Sequence, residues 1–115
     1  MFKTTKQIFQ VLSGKKKVLS SNPHMSGMIA LEVAMFESWY TKTHHKMLPE
    51  NEMLTIIYNI LHREKLLFTE AEARGIKNSV LVGFPQEKIK QMREQNNFDI
   101  QVKSFCQSIN CEHLL

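Results

Sequence analysis

Residues 26–46 read SGMIALEVAMFESWYTKTHHK, and the fold class turns on how this stretch is built. Met28, Ile29, Leu31, Val33, Ala34, Met35, Phe36, Trp39 and Tyr40 cover most of the circumference of a helix. A helix that is apolar nearly all round must be covered by neighbours on several sides. The pattern therefore predicts a central helix over about 26–46, with the rest of the chain wrapped against it.

The next segment supplies its first partner. Pro49 stands at a first-turn position, where a missing N–H costs nothing. Glu50 and Glu52 follow, where carboxylates favour the helix dipole. Met53, Leu54, Ile57, Ile60 and Leu61 repeat at the spacing of one buried face, which predicts a helix over about 49–67. A short turn at residues 47–48 would pack it on the central helix.

On the N-terminal side, residues 4–12 (TTKQIFQVL) suit a short amphipathic helix that Gly14 ends. Residues 13–27 then read as a basic loop, with a brief extended piece at 18–19. Beyond the second helix, Thr69 can cap a short helix through Arg74, with Gly75 as its terminator. Residues 79–84 (SVLVGF) are rich in β-branched and aromatic types and read as a strand. Pro85 opens a polar helix to about Gln95, with Ile89 and Met92 inward. Residues 98–105 (FDIQVKSF) alternate Phe98, Ile100 and Val102 against polar neighbours and read as a half-buried strand. The expected fold is α+β: a helical core with a small C-terminal β-α-β sheet. The alternative is all-α, with residues 70–84 helical. Two strands alone are marginal, so residues 18–19 are a candidate third strand.

Size and composition fit a single domain over residues 1–115, with 43% hydrophobic and 23% charged residues. No apolar run approaches the roughly 18–20 residues of a membrane span. No secretory signal pattern is visible, and two cysteines are too few for a disulfide scaffold, which leads to a cytoplasmic expectation. The net charge of +4 is uneven. Residues 1–31 hold five lysines and no acid, whereas residues 32–115 hold ten basic and eleven acidic side chains. The basic excess thus concerns one segment around Lys15, Lys16 and Lys17, which would attract anions such as nucleic acid or an acidic protein face.

Catalytic motifs are missing. There is no phosphate loop, dinucleotide fingerprint, zincin motif or nucleophile elbow. Cys106, Cys111 and His113 give C-x4-C-x-H, three potential ligands without a second pair at zinc spacing, so neither metal nor cofactor is expected. Glu32 and Glu37 fall on different helix faces and read as solvent-facing, and His44 and His45 read as last-turn residues favoured by the helix dipole. Residues 69–84 resemble a helix-turn-helix phrase, with Ala71 the small residue, Gly75 the turn glycine and Leu81 and Phe84 inward. Lys77 and Asn78 would then face bases, though Arg74 stands at an apolar position and Pro85 shortens the second helix.

These features lead to a small non-enzymatic regulatory or adaptor protein that binds another protein or itself. Seven methionines, which adapt readily to partners, and an incomplete sheet favour it. The alternative is a nucleic-acid-binding regulator using Lys15, Lys16, Lys17, Lys77 and Asn78.

Overall fold

A computed structural model describes residues 17–83 and 86–115. Its organiser is helix α1 (Pro23–His44), which starts three residues earlier than the apolar run because Pro23 fits the first turn. Ile29, Ala30, Val33, Ala34, Phe36 and Tyr40 are buried on it, and Trp39 and Met35 lie on its other flank, also buried. α1 ends where His45 turns left-handed at φ 56° and donates its N–H to the Thr41 carbonyl at 2.9 Å. Helix α2 (Glu50–Arg63) buries Met53, Ile56, Ile57, Ile60 and Leu61. It stops four residues short of the expected end. Lys65 adopts φ 55°, and the freed Leu66–Leu67 form strand β2. β2 pairs in parallel with strand β1 (Lys17–Val18) in the register Lys17 with Leu66 and Val18 with Leu67. The extended piece near residue 18 is therefore real, but its partner is the exit of α2.

The expected C-terminal β-α-β sheet is corrected by the structure. Residues 79–81 are the last turn of helix α3 (Glu70–Leu81), and residues 98–105 lie in helix α5 (Phe98–Ser108). Between them, helix α4 (Gln86–Arg93) buries Ile89, with Met92 packed beside the core. The physical reasons differ. In α3, a capping box nucleates the helix: Glu72 N–H donates to Thr69 Oγ1 at 3.2 Å, and Thr69 N–H to Glu72 Oε1 at 2.7 Å. Ala73, Ile76 and Val80 then bury one face, which overrides the strand preference of residues 79–84. Gly75 sits inside α3 and terminates nothing, so the turn that the helix-turn-helix phrase requires there is not formed. The chain leaves α3 at Gly83, whose φ of 99° suits glycine. In α5, Phe98, Val102, Phe105 and Cys106 are buried at helical spacing, while Ile100 is 69% exposed. The alternation that read as a strand shares Phe98 and Val102 with a helical face.

The result is a mostly helical fold with one very short parallel sheet, so both α+β and all-α describe it. Among the described residues, α1 packs against all four other α-helices. No helix among the described residues is long and apolar enough to cross a membrane. The expected helix over residues 4–12, with Lys15 and Lys16, lies outside the described residues, as do Phe84 and Pro85.

Two polar clamps hold α5 along α1. Near its start, Trp39 Nε1 donates to Asp99 Oδ1 at 2.9 Å. Near its end, Arg63 donates through Nη1 to Ser108 Oγ at 3.0 Å and through Nη2 to Glu32 Oε1 at 3.0 Å. Glu32 is thus half-buried and paired across helices, which corrects the expectation of a solvent-facing carboxylate. Burial holds its carboxyl above the usual glutamate range, and the Arg63 charge only partly offsets this.

Two outcomes are expected. Thr69→Ala removes one arm of the capping box and lowers stability by about 1 kcal/mol in urea unfolding. For Glu32, the folded protein keeps a proton at a pH where the unfolded chain has released it. Its contribution therefore grows on acidification and is lost as pH rises through the folded-state value. Against Glu32→Gln, wild type gains relative stability between pH 7 and pH 4.5. The opposite trend would mean that Arg63 pairing outweighs burial.

Candidate functional site

Among the described residues, a concavity lies where α1, α4 and α5 meet. Its walls are Trp39, Lys42 and Thr43 from α1, Arg93 from the last turn of α4, and Phe98 and Asp99 from α5. Gln95 and Asn96, in the turn between α4 and α5, supply amides at its rim, and the cleft measures about 360 Å³. A second depression of about 340 Å³ adjoins it, lined by Glu37, Ser38, Thr41 and Gln86. Lys42 and Arg93 line both, so these two cations stand between the adjoining depressions, which together make up the groove.

Local sequence explains the placement. Trp39, Lys42 and Thr43 are three and four residues apart, on one helical stripe. Trp39 buries its ring against Phe36, with centroids 6.0 Å apart, and spends its N–H on Asp99. That bond orients the first turn of α5 and fixes the wall of the cleft. Asp99 is also well placed for the helix dipole. Glu37, in the adjoining depression, accepts a longer bond from Thr41 Oγ1 at 3.4 Å. The charges therefore run carboxylate, two cations, carboxylate. Neither Lys42 nor Arg93 is in an ion pair among the described residues. Arg93 offers a planar fork of donors and Lys42 a mobile point charge, a combination suited to holding one oxyanion.

The residues expected to contact nucleic acid fare differently. Lys17 is exposed, with its backbone committed to β1. Lys77 is largely covered, with Nζ 3.7 Å from Glu50 Oε2, so its charge is answered within the protein. Asn78 is exposed on α3. Lys15 and Lys16 lie outside the described residues. The methionines form no single surface: Met35 and Met53 are buried, whereas Met28 and Met47 are exposed.

The cysteine and histidine set is not brought together as ligands. Cys106 and Cys111 are free and buried. Asn59 Nδ2 lies 3.7 Å from Cys111 Sγ and also donates to the Ile109 carbonyl at 3.0 Å. His113 instead meets Glu52 Oε2 at 3.3 Å, and His44 Nε2 lies 3.2 Å from the Leu114 carbonyl. These contacts fasten the C-terminal turn to α1 and α2. Burial pushes the Cys106 thiol up to about 12 and raises Cys111 too, so neither is a ready nucleophile. Ellman's reagent should find both thiols slow in the native protein and both fast in denaturant. A rapidly titrating native thiol would contradict this burial.

Apart from Glu37, which reads from the sequence as a solvent-facing carboxylate, no motif in the sequence points to the groove residues. Trp39 and Asp99 are sixty residues apart in sequence, and no local motif joins them to Arg93. Comparison with protein-family models, curated proteins and solved structures finds no match to this chain.

Proposed function

We propose that this chain is a small non-enzymatic regulatory or adaptor protein that works by binding another protein, with the α1–α4–α5 groove as its contact site. The observation that supports this is the pair of cations, Lys42 and Arg93, which line the cleft with the Trp39 indole and have no carboxylate partner among the described residues. Aromatic and arginine side chains in a preformed depression are the usual anchors of protein recognition. The Trp39–Asp99 bond fixes one wall of the groove, which reduces the ordering cost of binding there. Buried free thiols suit a reducing compartment, and we place the protein in the cytoplasm.

The nucleic-acid alternative would rest on Lys15, Lys16 and Lys17. It gains little from Lys77, which already faces Glu50. An acidic neighbourhood on α2 and the start of α3 would also repel phosphates.

Selection of a random peptide library on the immobilised protein tests the proposal. Enriched peptides should move the amide resonances of Trp39, Lys42, Arg93 and Asn96. Thr43→Phe, which fills the groove from an exposed position, should weaken them by about tenfold or more, roughly 1.4 kcal/mol. Failure to enrich any peptide that responds to Thr43→Phe overturns the reading. So does tighter binding of a single-stranded oligonucleotide that Lys15, Lys16 and Lys17 to alanine abolishes.

A further inference from the structure

The order of charges along the groove says more than its shape. Lys42 and Arg93 lie at the junction of the two depressions, with Asp99 in one and Glu37 in the other. A ligand anion at the junction meets two cations at once. A second anion placed to either side along the same ligand meets a carboxylate. Neither flanking carboxylate has a cation within ion-pair distance among the described residues. Asp99 Oδ1 accepts from the Trp39 indole, and Glu37 accepts one long bond from Thr41, so both keep acceptor capacity.

We infer that the groove selects a peptide segment carrying one acidic side chain flanked on both sides by hydrogen-bond donors or basic groups. This rests on the protein-binding reading and names the chemistry of its partner. The central carboxylate is gripped by the Arg93 fork and by Lys42. The flanking donors satisfy Asp99 and Glu37. The amides of Gln95 and Asn96 are available to the ligand backbone on one side, and Ser38 on the other. Uniformly acidic segments and nucleic-acid strands, with a charge on every nucleotide, are disfavoured by the same two carboxylates. The arrangement therefore combines an attractive centre with repulsive ends, the usual basis of specificity against near relatives.

The peptides recovered by the groove-dependent selection provide the test. They should share one Asp or Glu with Lys, Arg, Asn, Gln, Ser or Thr at its flanks. Changing that acid to its amide should weaken binding about tenfold to wild type, but less than about twofold to Lys42→Gln/Arg93→Gln, since a coupled pair loses its interaction once. A polyglutamate peptide should bind wild type more weakly than the selected peptides, and Glu37→Gln should narrow that gap. Circular dichroism and thermal unfolding confirm that each variant is folded. Groove-dependent peptides without a required acid overturn this inference and leave the protein-binding reading standing. So does a gap that Glu37→Gln leaves unchanged. If no peptide depends on the groove, the protein-binding reading itself fails, and this inference falls with it.

Discussion

Burial of α1 is the constraint from which the rest follows. Its large side chains point in nearly every direction, and fully burying each is worth roughly 1.5–3 kcal/mol. No single partner helix can cover such a surface. The chain responds by laying α2, α3, α4 and α5 on it. The short lengths of α3, α4 and α5 make sense on this view. Isolated helices of 12, 8 and 11 residues are marginal in water, and these are stabilised by what they cover.

Apolar burial alone leaves a helix free to slide and rotate, and the polar contacts remove that freedom. α5 is joined to α1 near both ends, by Trp39 with Asp99 and by Arg63 bridging Glu32 and Ser108. The second clamp adds little net stability, because burying the Glu32 carboxylate costs more than pairing with Arg63 returns. Its consequence is register. With α5 fixed, the turn at Gln95 and Asn96 is fixed as well, and Arg93 is delivered beside Lys42. The groove is thus a by-product of how the core is closed.

Much of the helical core was legible from the residues. The run around Phe36 required a covered helix, and the spacing from Met53 to Leu61 required an amphipathic partner. Thr69 with Glu72 marked a true helix start. The C-terminal third was misread because its short segments satisfy two periods at once. Phe98 and Val102 belong equally to an alternating strand and to a helical face, and only Phe105 and Cys106 distinguish them. Gly75 looked like a stop, but the burial of Ala73, Ile76 and Val80 exceeds the roughly 1 kcal/mol that glycine costs inside a helix. Lys65 gave no warning of a left-handed turn, since lysine has no local preference for it. The groove could not be read at all, because its parts come from three helices and meet only after they pack.

The same closure explains why charge counting along the chain pointed elsewhere. The lysine run at residues 15–17 dominates any sum by segment, whereas the described body is nearly neutral. Neutrality does not mean featureless, because what a partner meets is the local order of charges. Many of the body's charges are spent internally: Arg63 on Glu32, Arg74 on Glu70 and Lys77 on Glu50. Lys42 and Arg93 are held beside two carboxylates without pairing to them. The indole clamp supplies one reason, since it ties Asp99 Oδ1 to Trp39 on the cleft wall. The interaction that registers α5 on the core is therefore also one that leaves a cationic centre open to a ligand.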